Sequence, residues 1–179
     1  MLASELYRKY EEGHRAFSGA DLHEEDLSLS LNQIDLRCAT LNYCYARRAE
    51  FIRACLSGSI GSEIQLFEVD FREAELIGVD FKSAYISECS FESANISQAI
   101  ITNSLITLSY FRNANLSQIN LESTVLGNLD LRYANLRYAN LTEAQIISCD
   151  LSYVDLSGAT LNGAVLDNVC LFNTIMPSS

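Results

Sequence analysis

The sequence predicts an all-β solenoid built of four-sided coils, and three periodicities predict it. The first is a column of large apolar residues at every fifth position from Leu36 to Leu171. Of its 28 positions, only Ala46 and Gly61 are not Leu, Ile or Phe. The second column lies two residues earlier and is small. It holds Ala, Ser, Thr, Cys or Val at 24 of 28 positions, with Ile34, Ile64, Ile119 and Leu129 as exceptions. Neither a helix, with 3.6 residues per turn, nor a strand, with a period of two, gives such a pattern. A chain that turns a corner about every five residues does, because each side sends one large and one small side chain inward. The third periodicity is twenty. Phe51, Phe71, Phe91 and Phe111 form one line, continued by Leu131, Leu151 and Leu171. Asn95, Asn115 and Asn135 form another, with Asp155 next, and Gly58 and Gly78 a third. Four sides per coil make each set a vertical stack; five sides would scatter them. With coils spaced as strands are, ~4.8 Å apart, the array is a rod of about seven coils, on the order of 34 Å long.

The elements follow in order. Ser4 is the expected N-cap of a helix, with Glu5 in its first turn and Gly13 as its C-cap. Leu2, Leu6 and Tyr10 fall at helical spacing. Because a stacked coil exposes an open edge, this helix is expected to lie over the first coil as a lid. Residues 1–16 are read as helix and connector, 17–176 as the solenoid and 177–179 as a tail. Phe17 and Leu22 start the rhythm one step out of phase with Leu36, so a one-residue slip lies between Leu22 and Leu36. There Leu27, Leu29 and Leu31 alternate as in a strand. Gly61 implies a missing inward side chain or a small bulge. At the far end Met176 continues the column, and Phe172 or Ile175 is placed to fold over the last coil. If neither does, two chains would meet at that edge.

Runs such as Ala114-Asn115-Leu116-Ser117-Gln118, Ala134-Asn135-Leu136-Arg137-Tyr138 and Ala139-Asn140-Leu141-Thr142-Glu143 carry a resemblance to the pentapeptide-repeat family. The resemblance covers about 145 of 179 residues and implies a right-handed quadrilateral β-helix. The opening, Glu5-Leu6-Tyr7-Arg8-Lys9-Tyr10 through Phe17-Ser18-Gly19-Ala20-Asp21-Leu22, is similar to the N-termini of cyanobacterial members.

Composition narrows the function. No apolar run approaches the length of a membrane span, and the N-terminus reaches charge at once, without a leader's apolar core. The cytoplasm is the expected compartment. A net charge of −11 disfavours a nucleic-acid backbone as a direct partner. His14 and His23, the only histidines, stand in no metal spacing. No two of Cys38, Cys44, Cys55, Cys89, Cys149 and Cys170 are twenty apart, so free thiols are expected. Phosphate loops, nucleophile elbows and zinc motifs are absent from the sequence. A packed interior offers no pocket, so neither an enzyme nor a cofactor is expected.

The reading that remains is a non-enzymatic scaffold or protein-interaction module with an unknown protein partner, acting as a monomer or an end-to-end homodimer. The family resemblance also implies an alternative, since some members mimic B-DNA and bind DNA gyrase. In that reading the densest acidic run, Glu63, Glu68, Asp70, Glu73 and Glu75, extended by Glu88 twenty residues from Glu68, forms the interaction surface. An Arg72, Arg112 and Arg132 row, with Glu92 between, neutralises part of one face and argues for the scaffold. A stacked Tyr133–Tyr153 pair, with Tyr138 on the next side, is a second candidate contact.

Overall fold

The computed structural model describes residues 1–178. A helix α1 (Ala3–Glu11) precedes seven three-residue strands: β1 (Tyr45–Arg47), β2 (Gln65–Phe67), β3 (Tyr85–Ser87), β4 (Leu105–Thr107), β5 (Val125–Gly127), β6 (Gln145–Ile147) and β7 (Val165–Asp167). The strands form one parallel sheet in chain order, and each is paired with the next at an interval of twenty, as in Ala46↔Leu66 and Leu66↔Ile86. Single parallel bridges at the same interval join the other three sides, for example Glu50↔Asp70, Asn95↔Asn115 and Asn120↔Asn140. The result is a four-sided β-solenoid with a helical cap. The phenylalanine line is an inner stack: centroids of Phe51, Phe71, Phe91 and Phe111 lie 5.2, 5.0 and 4.8 Å apart, with rings within 14° of parallel.

Each part of the five-residue unit has a mechanical role. An Asp or Asn just before the inward Leu accepts a bond from the N–H two residues on. Asn115 Oδ1 takes it from Ser117 N at 3.2 Å, and Asp155 Oδ1 from Ser157 N at 2.8 Å. That side-chain turn directs the backbone into the corner. Two residues after the Leu the chain adopts positive φ, near +59° at Gln118 and Tyr138. The corner then closes as the small residue's N–H bonds back to the Leu carbonyl, as from Ala139 to Leu136 at 3.1 Å. Gly58 and Gly78 are two such corner residues, at φ +70° and +63°, where a glycine avoids the left-handed penalty. The remaining backbone groups bond to the next coil, as Leu116 N does to the Asn135 carbonyl at 2.8 Å.

Several expectations need correction. The helix starts one residue before Ser4, with Leu2 at the cap position and no side-chain cap of its own. The first free amide is instead satisfied from the solenoid, by Glu25 Oε2 at 2.8 Å from Ala3 N. Leu2 is exposed, while Leu6 is fully buried and Ala3 nearly so. Tyr7 and Tyr10 donate their hydroxyls to the Asp26 and Asn32 carbonyls, each at 2.9 Å, so α1 does cover the first coil. Gly13 ends it with a Schellman pair: Gly13 N bonds to Tyr10 O and His14 N to Lys9 O.

The slip is real but is not a strand. Ala16↔Asp35, Asp21↔Thr40 and Asp26↔Tyr45 bridge at nineteen, and Ser30↔Glu50 at twenty. One residue is therefore missing from the side between Leu27 and Leu31, which closes by a tight Leu29 N to Leu27 O bond with Leu29 outside. Gly61 keeps the regular register without a bulge; its empty place is filled by the ring of Phe81, one coil on. At the far end Phe172, Ile175 and Met176 are exposed rather than folded over the last coil. Ser179, in the expected tail, lies outside the described residues.

Candidate interaction face

The acidic run does not assemble into one patch. Glu63, Glu68, Asp70, Glu73 and Glu75 spread over three successive sides of a single coil and the corners between them, because corners fall every five residues. Three of them are engaged by arginine. Glu68 bonds Arg48 at 2.7 Å and Arg47 at 3.2 Å, Glu73 bonds Arg53 at 2.8 Å, and Asp70 bonds Arg72 at 2.6 Å. Hydrogen bonds from Arg48 and then Arg47 hold Glu68 below the usual carboxylate range, and Arg53 does the same to Glu73. Glu75 accepts from Asn95 Nδ2 at 3.1 Å. Among the described residues, Glu63 and Glu88 form no ion pair. The Arg48–Glu68 and Arg53–Glu73 pairs are twenty residues apart, so the period that revealed the Phe stack also contains them.

The arginine row is likewise built differently from a vertical ladder of alternating charge. Arg72 turns to Asp70 and Arg132 to Asp130, each to the carboxylate two residues earlier on its own side. Asp130 is held low chiefly by its bond from Arg132. Arg112 has no such partner, and its Nε is buried without a hydrogen bond.

The sheet side stands apart from the other three. β2 to β6 have ten outward positions and none is charged; Phe67, Tyr85, Leu105, Val125 and Ile147 are among them. Tyr45, Phe67 and Tyr85 form a tilted aromatic row with centroids 5.7 and 5.1 Å apart. At the corner beyond β4, Leu108 (48% exposed) and Tyr110 (52%) project into solvent. Leu108 is held at φ +52°, a conformation that branched apolar side chains disfavour. Sequence reasoning passed over this face, although the rows at Tyr45, Tyr85, Leu105, Val125 and Val165 share the twenty-residue spacing. The outer Tyr133–Tyr153 pair is stacked at 4.7 Å, with Phe172 edge-on, while Tyr138 covers Gly158 on another side.

The interior suits packing rather than catalysis. Burial pushes the thiols of Cys44 and Cys89 up to about 11 and 12, so both stay protonated, and all six cysteines are free. Cys89 Sγ donates to carbonyls, at 3.3 Å to Ser87, while Ser109 Oγ accepts from Cys89 N at 3.0 Å. His14 lies against the Lys9 carbonyl and His23 edge-on to Tyr43. Among the described residues no group of side chains stands ready to hold a metal ion. No helix there is long and apolar enough to cross a membrane.

A side-chain-filled solenoid whose sheet side is uncharged from β2 to β6 is a repeat scaffold. The chain belongs to the pentapeptide-repeat family: the Pentapeptide repeats description matches residues 64–103, 109–144 and 139–176, in 8 copies. Among solved structures it is similar to HetL of the cyanobacterium Nostoc sp. strain PCC 7120, a pentapeptide repeat protein involved in heterocyst differentiation regulation. Identity there is 25% over 98% of this chain and 97% of HetL, with a TM-score of 0.34. Rfr23 of the cyanobacterium Cyanothece 51142 is 28% identical over 54% of this chain and 63% of its own, with a TM-score of 0.36. A trypsin-treated form of QnrB1, a plasmid-mediated fluoroquinolone resistance protein, is 19% identical over 87% and 86%, with a TM-score of 0.58. That last likeness is one of fold. No curated protein matches the chain.

Proposed function

We propose that the chain is a non-enzymatic interaction scaffold that presents the β1–β7 side to a protein partner. One observation carries the reading: the ten outward positions of β2 to β6 include no charge on a chain of net charge −11. Charge depletion with aromatic enrichment marks the centre of protein interfaces. Its four-sided frame holds these side chains rigid, so little conformational freedom is lost on binding. The six free thiols support a reducing compartment, the cytoplasm. Exposed Leu171, Phe172 and Ile175 at the last coil support end-to-end pairing of two copies as the alternative to a monomer, a choice that sedimentation decides.

The test is affinity capture from the source organism's lysate with paired variants. Leu105→Lys and Thr107→Lys, on the sheet side, should abolish capture of whichever protein the wild type retains. Gln98→Lys and Gln118→Lys, at a corner bordering the opposite side, should not. DNA mimicry makes a different demand, an array of free carboxylates, and Glu68, Asp70 and Glu73 are already neutralised by arginines. Inhibition of gyrase supercoiling at low micromolar protein, lost on Glu68→Lys with Asp70→Lys, would favour the gyrase reading over ours.

A further inference from the structure

Four times along the solenoid an Asp is followed two residues later by a cation that bonds it. The pairs are Asp35–Arg37 and Asp70–Arg72, each at 2.6 Å, Asp80–Lys82 at 2.8 Å, and Asp130–Arg132. Arg137 follows an Asn instead and reaches Asp155 at 3.2 Å. At the equivalent place before Arg112 the acid is replaced by Tyr110. Arg112 forms no ion pair among the described residues, and its Nε is buried with no acceptor. Asp130, the nearest carboxylate one coil on, is occupied by Arg132. Glu92, one coil back in the same row, is not within ion-pair distance. A guanidinium is built for planar, two-point recognition of a carboxylate, and a buried donor without an acceptor is costly to keep.

Beside it, Glu88, Leu108, Tyr110 and Asn128 line a shallow hollow at the corner of the sheet side. The exposed apolar groups and the unpaired cation are therefore consecutive outward residues of one coil: Leu108, Tyr110, Arg112. We propose that this triplet recognises a segment of a protein partner that carries an acidic side chain next to a large apolar one. The carboxylate pairs with the Arg112 guanidinium, which has no ion pair of its own among the described residues, and the apolar group enters the hollow. Glu88, on the far wall, repels the acid from that end and so fixes the segment's direction. This deepens the reading of the sheet side as a protein-binding face and rests on it.

The probe is a displayed library of short random peptides selected on the full-length protein. Enriched peptides should place Asp or Glu within a few residues of Leu, Phe, Tyr or Trp. Arg112→Gln should weaken their binding about tenfold or more, the share of one charge-assisted bond. Tyr110→Asp, which rebuilds the internal Asp–Arg pair, should do the same without lowering the melting temperature. Arg112→Glu should turn the selection toward Lys and Arg, a reversal that mere loss of structure would not produce. Peptides with no acidic preference, weakened by Leu108→Asn but indifferent to Arg112→Gln, would overturn this inference and leave the binding face standing. A selection that enriches nothing, or only peptides indifferent to all these substitutions, would overturn both.

Discussion

Gly61 and Phe81 show how a single residue is explained only by the coil above it. Glycine is not needed at 61 for its backbone, since its φ lies outside the left-handed region; it is needed for space. A Cβ there would stand 2.9 Å from two atoms of the Phe81 ring. Gly61→Leu should therefore destabilise the protein by about 1–3 kcal/mol through overpacking. Adding Phe81→Leu should restore most of that loss, and chemical denaturation of the two single variants and the double checks it. Simple additivity would refute the account. Leu108 makes the opposite case, because its backbone strain has no packing reward on an exposed corner. Leu108→Asn should stabilise the fold by about 1 kcal/mol, measured by the same denaturation, while weakening partner binding. A residue that costs stability and contributes to recognition is the expected signature of function.

At the scale of elements, α1 is held by long-range contacts rather than by its own caps. Nine residues make a helix too short to persist alone. Leu6, buried on the first coil, supplies the docking, with the Glu25, Asp26 and Asn32 acceptors orienting it. Leu6→Asp should release the helix. Hydrogen exchange should then accelerate at first-coil amides such as Leu22 and Leu27, while amides of β4–β6 keep their protection. Uniform acceleration along the rod would mean that the lid and the solenoid unfold as one unit.

The sides respond to acid for a related reason. Asp35, Asp130 and Asp155 have depressed values in the folded chain, as do Glu68 and Glu73. A depressed folded value adds stability above the unfolded value, 3.8 for Asp and 4.5 for Glu, and loses it as pH falls through the folded one. The melting temperature should thus be flat toward neutral pH and drop below about pH 4. Arg132→Gln should lower the neutral plateau and make that drop smaller, because Asp130 then titrates nearer its ordinary value and no longer adds stability above it. An unchanged profile in thermal melts would show that the pair contributes nothing measurable.

For the whole molecule, one rule was legible in the sequence and its consequences were only partly followed. The five-residue column and the twenty-residue line of Phe51, Phe71, Phe91 and Phe111 define the four-sided solenoid, because inward packing is the strongest constraint on every coil. The same twenty-residue rule, applied to outward positions, contains the Arg48–Glu68 pair and the charge-free stretch of the sheet side from β2 to β6. Reading acids by their density along the chain obscured both. Other features were not legible. The replacement of the Gly61 side chain by the Phe81 ring depends on one ring's rotamer. The choice of Asp70 over Glu92 by Arg72 depends on which carboxylate the guanidinium reaches first. Capping of α1 by Glu25 depends on a docking that local propensity does not encode.

The proposal that the scaffold meets its partner on the sheet side can be tested inside the cell. Photo-crosslinking residues introduced at Tyr85 and at Gln118, which lies at a corner of the opposite side, test it most directly in cells of the source organism. A discrete adduct should form from position 85 and be abolished by Thr107→Lys, with none from position 118. An adduct from position 118 alone, or from neither, would contradict it.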